Sequence, residues 1–244
     1  SPFNELFRDF FDNRQLRKSQ PGDNGKPREY SRPSALGSGF VVDAKNGYIV
    51  TNNHVIEDAD EIKIILQDDT TLDAELVGSD EQTDIAVLKV KTDAELVATN
   101  WGDSDDMRVG DWVMAIGNPF GLGGTVTAGI ISARQRDIHS GPYDDFIQTD
   151  ASINRGNSGG PMFNMNGDVI GINTAIYSPS GGSVGIGFAI PSAMAKSVVN
   201  QIIEFGKTRR GWLGVRFQSV TEEIAESLGL DKDVTGVLVA GVSK

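Results

Sequence analysis

The sequence contains no cysteine, only two histidines and no long apolar run, and each shortage excludes something. Without cysteine among its 244 residues, the chain has neither disulfides nor thiolate zinc sites, which suits a bacterial cytoplasm or periplasm equally well. No stretch approaches the ~18 apolar residues of a membrane-spanning helix, so membrane association is not indicated. HExxH motifs and phosphate-binding loops are also missing, so neither a metal nor a cofactor is predicted.

Basic residues are scarce relative to acidic ones. The chain has 22 Lys and Arg against 34 Asp and Glu, which gives a net charge of −12. An acidic chain gains nothing from counterion release on DNA, so nucleic acid is not a predicted partner. The 39% of hydrophobic residues suffices for a substantial core. The composition therefore predicts a folded protein that acts on something other than nucleic acid.

Residues 1–34 form a separate N-terminal region. Its first part carries an apolar stripe at helical spacing, which predicts packing either on its own domain or on another subunit. The remainder, residues 12–34, is polar with several glycines and prolines and is predicted to be a long loop. The stripe consists of Phe3, Leu6, Phe7, Phe10 and Phe11.

Residues 35–206 have the pattern of an all-β domain. Short apolar runs such as YIVTNN, DIAVLKV and DWVMAIG follow one another with turn signals between them. Such a pattern predicts an antiparallel barrel or sandwich. Pro191 and Ser192 open a predicted C-terminal helix that Gly206 ends. Residues 207–244 are predicted to be a linker followed by an appendage or a truncated second domain, because so short a segment rarely folds alone.

The two histidines and one serine suggest a nucleophilic enzyme. Ser158 lies among glycines in NRGNSGGP, residues 154–161. The G-x-S-x-G pattern of α/β-hydrolases requires a histidine after the serine, and none follows Ser158. His54 precedes it, at the end of the strand-like run YIVTNN, whereas His139 lies in a polar loop and is predicted to be solvated. The remaining order of histidine, aspartate and serine is that of chymotrypsin-like proteases on double β-barrels.

The acid of such a triad must be shielded from water while it accepts a hydrogen bond from the base. Asp84 is the first candidate, because it opens the apolar run of residues 85–88. Asp150, eight residues before the serine, is the rival. Beside Ser158, glycine lets the backbone approach the reacting carbonyl, so the N–H groups of Gly156 and Ser158 are the predicted oxyanion donors.

Five blocks in order extend this interpretation to nearly the whole chain: TNNHVI, TDIAVLKV, GNPFGLGGTVTAGIISA, FIQTDASINRGNSGGP and VGIGFAIPS. They closely resemble the HtrA serine proteases, and within these the bacterial periplasmic DegP/DegQ group. The resemblance implies a trypsin-like double β-barrel followed by a PDZ domain. It also implies His54, Asp84 and Ser158 as the triad, with Gly156 and Ser158 forming the oxyanion hole.

The resemblance implies roles for several further residues. The pocket for the side chain before the scissile bond, S1, would be walled by Ile153, Ile176 and Ile186 with Phe188 at its base, and would take small aliphatic residues. Arg136 aligns with a sensor arginine that relays effector binding to the active-site loops. The remaining implied contacts are a trimer contact at Phe3, Phe7, Phe10 and Phe11, and a PDZ carboxylate-binding loop at Trp212, Leu213, Gly214 and Val215.

The predicted function is that of an ATP-independent serine endopeptidase that degrades unfolded or misfolded proteins in the periplasm, with chaperone activity. Its predicted partners are unfolded clients and other copies of itself, as a homotrimer or a larger assembly of trimers. A periplasmic location presumes a signal peptide that has been removed. The alternative from a different class is a non-catalytic chaperone or scaffold whose active site rests in a collapsed state.

Overall fold

The computed structural model describes residues 36–118, 124–179, 182–211, 213–231 and 233–242. The predictions made for residues 1–34 and for Trp212 therefore lie outside the described residues. The chain divides into a first unit that ends at Thr208 and a second unit that begins at Arg209.

The first half of the first unit is a five-stranded antiparallel sheet in the order β1-β2-β5-β4-β3. β5 lies at its centre and is buried along most of its length, because its run Ile-Ala-Val-Leu is apolar on both faces. A four-residue helix, α1 (Asn53–Ile56), follows the second strand. The strands are β1 (Phe40–Asp43), β2 (Tyr48–Thr51), β3 (Ile62–Ile65), β4 (Thr71–Asp80) and β5 (Ile85–Val90).

The second half is a closed barrel in the order β10-β11-β8-β7-β6-β9, with β9 pairing back onto β10. All eight residues of β10 are buried, so this strand forms the spine of the barrel. The strands are β6 (Trp112–Gly117), β7 (Thr125–Arg136), β8 (Phe146–Thr149), β9 (Pro161–Phe163), β10 (Val169–Ile176) and β11 (Gly187–Pro191).

Helix α2 (Ser192–Phe205) joins the cores of the two halves. It occupies the predicted position, and Gly206 ends it in a left-handed conformation at φ 71°. Its buried face packs into one apolar cluster with strands of both halves: Val50, Ile85, Val87, Ile172, Ile190, Val198, Val199 and Ile202. Burying a side chain of this size contributes about 1.5–3 kcal/mol, so the shared cluster fixes the halves against each other.

The second unit contains a two-stranded antiparallel ribbon, β12 (Val215–Ser219) and β13 (Val237–Val242). Helix α3 (Glu222–Ser227) lies between the two strands in the sequence. As the sequence predicts, Thr221 caps this helix, since its hydroxyl accepts a hydrogen bond from the Ile224 N–H at 3.4 Å.

Candidate active site

His54 is held at the point where the first sheet meets the barrel. The chain leaves β2 and enters α1, and this turn places the imidazole beside Asp84. The Nδ1 atom of His54 lies 2.7 Å from Asp84 Oδ2, while the backbone N–H of His54 donates to Asp84 Oδ1 at 2.9 Å. Both carboxylate oxygens of Asp84 thus bind His54, and this fixes the orientation of the imidazole ring.

Asp84 occupies a constrained turn at the start of β5. Its φ of 56° lies in the left-handed region, where residues other than glycine are uncommon. The turn is held because the Asp84 carbonyl accepts hydrogen bonds from the side-chain amide of Asn52 at 2.8 Å and from the N–H of Asn53 at 3.2 Å. Strain held in this way is typical of functional positions.

Thr174 is a residue of this site that the sequence analysis did not select. Its hydroxyl donates to Asp84 Oδ2 at 2.7 Å across the junction of the two halves. A hydroxyl within the otherwise apolar end of β10 was the available signal. The Asp84 carboxylate consequently has three hydrogen-bond partners: the backbone N–H and the ring of His54, and the Thr174 hydroxyl.

The two rival residues lie elsewhere. The Asp150 carboxylate is exposed and accepts the N–H of Ile130 at 2.7 Å, so it stabilises β7 and does not contact His54. The His139 side chain is 86% exposed and lies 3.0 Å from Asp137, as expected for a solvated loop residue. The hydrogen bond from the His139 backbone N–H lowers the pKa of the Asp137 carboxyl.

Ser158 lies in the loop between β8 and β9, and only 2% of the residue is exposed. Its hydroxyl donates to the backbone carbonyl of Thr174 at 3.2 Å. Thr174 therefore contacts both candidate residues, with its hydroxyl on Asp84 and its carbonyl on Ser158. This brings His54, Asp84 and Ser158 together around a single residue of β10.

The backbone before Ser158 forms a turn with a specific peptide orientation. The N–H of Asn157 donates to the carbonyl of Asn154 at 3.0 Å, and Gly156 has a φ of 102°. A positive φ at the third residue of such a turn is the type II conformation, which glycine allows at no steric cost.

This turn leaves two amides available. In the segment from 156 to 160, the N–H groups of Asn157, Gly159 and Gly160 donate to backbone carbonyls. Within the described part of the chain, those of Gly156 and Ser158 have no such acceptor. These are the two amides that the sequence interpretation selected as oxyanion donors. Two unengaged N–H groups beside a serine hydroxyl can stabilise negative charge on a bound carbonyl oxygen.

The residues of the predicted S1 pocket fall into two groups. Ile153 and Ile176 pack together in a small apolar cluster, and a Cβ atom at Gly187 would lie 2.7 Å from the Ile153 side chain. Because side chains alternate along β11, Phe188 points to the opposite face, where its ring packs edge-on against Phe146 at 6.4 Å. The structure thus does not bring Phe188 into the cluster of Ile153 and Ile176. Ile186, which directly precedes Gly187, is half-buried.

A cleft of about 630 Å³ borders the acid side of the triad. His54, Asp84 and Thr174 form one part of its lining, and the loop of residues 140–145 forms another. Asp144 organises this loop, since its carboxylate accepts the N–H of Ile138 at 3.0 Å and that of Ser140 at 2.8 Å. The loop that follows β7 therefore lines the same cleft as His54 and Asp84.

Arg136 stands at the beginning of that loop. It ends β7, is exposed, and donates from Nε to Gln148 Oε1 at 2.9 Å.

Among the described residues no group of three or more His, Asp or Glu side chains is arranged to hold a metal ion. Within the same part of the chain, no helix is long and apolar enough to cross a membrane.

Comparisons with known proteins agree with this geometry. Residues 37–172 match the protein family described as trypsin-like peptidase domain. The chain is 56% identical over 246 residues to a probable periplasmic serine endoprotease DegP-like of Brucella suis, covering 98% of this chain and 47% of the relative. It is 49% identical over 238 residues to the protein of that name in Pseudomonas fulva, covering 97% and 48%.

Solved structures give the same result. An HtrA-type protease AlgW with decapeptide superposes with a TM-score of 0.74 at 54% identity, covering 86% of this chain and 64% of the other. The same protease with tripeptide gives 0.78 at 54% identity, covering 85% and 68%. The resemblance and the trypsin-like fold predicted from the sequence are thereby confirmed. The chain spans about half the length of the curated relatives it matches.

Proposed function

Since the chain belongs to the trypsin-like peptidase family, we propose that it is an ATP-independent serine endopeptidase of the bacterial periplasm that degrades unfolded or misfolded proteins. The observation that carries the proposal is the 2.7 Å contact between His54 Nδ1 and Asp84 Oδ2. A base oriented by a carboxylate is what a serine nucleophile requires. The names of the relatives, periplasmic serine endoproteases, support both the reaction and the compartment.

The reaction proceeds through an acyl-enzyme. The Ser158 hydroxyl turns from the Thr174 carbonyl towards His54, and its oxygen attacks the scissile carbonyl carbon while His54 takes the proton. The C–N bond then breaks, and His54 returns this proton to the leaving amine. Water attacks the resulting ester with His54 again as base, which releases the carboxylic acid and restores Ser158. Asp84 orients the His54 ring and stabilises the imidazolium in both steps.

The oxyanion of each tetrahedral intermediate is bound by the N–H groups of Gly156 and Ser158. One such donor typically contributes about 2.7–4 kcal/mol in the transition state. The type II turn supports this role, because it leaves both amides without an acceptor among the described residues.

The substrate class follows from the S1 pocket. Its proposed walls are Ile153 and Ile176, which pack in one apolar cluster, and Ile186; none of these three side chains could pair with Lys or Arg. Burying an unpaired cation is costly, so small aliphatic residues such as Val, Ala or Ile are expected before the scissile bond. Residues of this kind are normally buried in folded proteins, so the pocket selects unfolded clients.

A second candidate function is that of a non-catalytic chaperone or scaffold with a resting active site. The hydrogen bond from Ser158 Oγ to the Thr174 carbonyl favours it, because the hydroxyl is engaged away from the base. The open amides of the 156–158 turn favour the enzyme. Binding of unfolded clients without cleavage is a compatible additional activity of the same surfaces.

Self-association as a homotrimer, or as a larger assembly of trimers, is part of the proposal, with Phe3, Phe7, Phe10 and Phe11 as contacts. Among the described residues, Trp112 of β6 is 60% exposed and Val126 of β7 is 59% exposed, at opposite ends of the β6–β7 pairing. Deletion of residues 1–11 is expected to give monomers by light scattering, whereas a persistent trimer would place the stripe on its own domain.

Residues 207–244 are proposed to be a linker and the N-terminal part of a PDZ domain. Leu213, Gly214 and Val215 belong to its carboxylate-binding loop, together with Trp212. The ribbon of β12 and β13 supports this assignment, since such domains bind a peptide as an added strand.

Two measurements on one sample test the proposed activity. A fluorophosphonate probe is expected to label Ser158, because only an activated serine reacts with it. Unfolded proteins digested with the enzyme are expected to acquire C-termini that end in Val, Ala or Ile, as identified by mass spectrometry. No labelling together with client binding would establish the chaperone alternative, and a majority of Arg, Lys or aromatic termini would refute the S1 assignment.

A further inference from the structure

Ser38 belongs to the first sheet by sequence, but its polar atoms bind the loop that carries Ser158. It precedes β1, and its backbone N–H donates to the carbonyl of Ser158 at 2.8 Å. Its hydroxyl donates to the carbonyl of Gly156 at 2.6 Å and accepts the N–H of Asn118 at 2.8 Å. Its own carbonyl accepts the Thr51 hydroxyl at 2.7 Å, which anchors it to β2.

These contacts involve the two residues whose amides are the proposed oxyanion donors. Each peptide group is planar, so holding a carbonyl also orients the N–H group of the next residue. With the Gly156 and Ser158 carbonyls bound by Ser38, the following amides of Asn157 and Gly159 complete their own hydrogen bonds at 3.0 and 2.8 Å. Every other amide of the 156–160 segment donates to a backbone carbonyl, and within the described residues those of Gly156 and Ser158 have no such acceptor.

The environment of Ser38 requires a small hydroxyl residue. A hydroxyl can donate one hydrogen bond and accept another, and here it uses both capacities, on Gly156 and on Asn118. The chain also runs very close to the Ser158 loop, because a Cβ atom at Gly159 would collide with the Ser38 carbonyl oxygen. Only glycine at 159, whose φ is 86°, permits this approach.

We propose that Ser38 is a positioning residue for the oxyanion-binding turn, acting through Gly156 and Ser158 without touching the substrate. The inference rests on the proposed peptidase activity. Loss of the hydroxyl would remove its hydrogen bonds to the Gly156 carbonyl and from the Asn118 N–H, and the peptide between Gly156 and Asn157, at the end of the turn, would no longer be held. Stabilisation of the oxyanion would fall, while binding of the uncleaved peptide would not.

The test compares Ser38→Ala with Ser79→Ala, which changes a half-buried serine of the same sheet whose hydroxyl makes no hydrogen bond among the described residues. For Ser38→Ala, kcat on a peptide with Val before the scissile bond is expected to fall about tenfold to a hundredfold, the usual cost of leaving a polar group unpaired. KM is expected to stay unchanged. The inhibition constant of a peptide boronic acid, whose tetrahedral adduct uses the oxyanion site, is expected to rise by the same factor.

A second variant protects the test against misfolding. Ser38→Cys keeps a side chain of similar shape with a weak S–H donor, so its kcat is expected to lie between those of the parent and Ser38→Ala. If Ser38→Ala no longer shows a cooperative thermal unfolding transition, the kcat of Ser38→Cys tests the proposal in its place.

The outcomes separate the two hypotheses. A parent protein that cleaves no peptide would overturn the peptidase assignment and this inference with it. The role of Ser38 alone would be overturned if the parent cleaves the peptide normally and the kcat of the folded Ser38 variant stays within about twofold of the parent value. Such a change is smaller than the loss of one hydrogen bond should cause. A rise in KM with an unchanged boronic acid inhibition constant would also overturn it.

Discussion

The two halves of the first unit hold their parts of the active site by different means. The first sheet presents side chains: His54 and Asp84 are joined by two hydrogen bonds and fixed by a strained turn. The barrel presents mainly backbone: the hydroxyl of Ser158 is surrounded by glycines, a type II turn and two open amides. The base and acid thus depend on side-chain chemistry, whereas the oxyanion site depends on peptide orientation.

Because the two halves supply different parts of the site, hydrogen bonds connect the halves at their junction. Thr174 of the barrel binds Asp84 at 2.7 Å, and Ser38 of the sheet binds Gly156 at 2.6 Å. Each half therefore supplies one residue that positions the other half's chemistry. A proton transfer between His54 and Ser158 tolerates little displacement, so these crossed contacts are as relevant to rate as the triad itself.

The largest expected effect is on the barrel side, for Ser158→Ala. Removal of a triad nucleophile typically lowers kcat by about 10⁶-fold. The fold should survive, because the alanine occupies less space in the same loop. Casein hydrolysis and thermal unfolding measure the two properties, with Ser197→Ala, an exposed position of α2, as the matched control. Casein cleavage above about 1% of the parent rate would reject Ser158 as nucleophile.

The next effect is on the sheet side, for Asp84→Asn. The amide keeps the shape of the carboxylate but favours the wrong tautomer of His54, and in triads of this kind kcat falls by about 10⁴-fold. Asp150→Asn is the control, since within the described residues the Asp150 carboxylate accepts the Ile130 N–H of β7 and does not contact His54. The kcat values of both variants on one peptide decide between them. The assignment fails if Asp150→Asn is the more severe change in a folded protein.

The sequence indicated the residues whose type specifies their chemistry and missed those whose place depends on the folded chain. His54, Asp84 and Ser158 could be selected because residue type and order specify their chemistry. Gly156 could be selected because glycine marks a close backbone approach. Thr174 could not be selected, because its role depends on the alternation of side chains along β10. It also depends on the contact between β10 and the first sheet, which only the folded chain creates. Phe188 was expected at the pocket base, but alternation along β11 directs its ring to Phe146.

The fold followed the same rule. Apolar runs and turn signals predicted the strands and the helix that Gly206 ends, because these depend on local periodicity and on one left-handed residue. Sequence patterns did not predict that the barrel closes through β9 and β10 while β1 and β3 are edges of the described part of the first sheet. Closure depends on pairings between distant strands, which periodicity does not encode.

A smaller effect is expected at the crossed contact, for Thr174→Val. Valine keeps the volume of threonine and removes the hydroxyl from Asp84. A hydrogen bond to a charged group is worth about 1.5–3 kcal/mol, so kcat is expected to fall about tenfold with KM unchanged. Thr174→Ser restores the hydroxyl and should recover most of the loss. Steady-state kinetics on one peptide would contradict the assignment if valine and serine gave equal kcat values.

The smallest expected effect is at the loop that connects β7 to the triad, for Arg136→Ala. Arg136 is exposed and donates one hydrogen bond to Gln148, so its removal should leave the unfolding temperature unchanged. The loop it begins is held by Asp144 and lines the cleft beside Asp84, which gives a sensor at this position a direct route to the triad. Peptide cleavage without an activator should therefore be unchanged, and the added rate that an activating unfolded client produces should decrease several-fold. The matched control is Arg134→Ala. Arg134 lies on the same strand as Arg136, and its side chain binds Asp105. Activation kinetics identical in Arg136→Ala and the parent protein would reject the sensor role and leave Arg136 a surface residue.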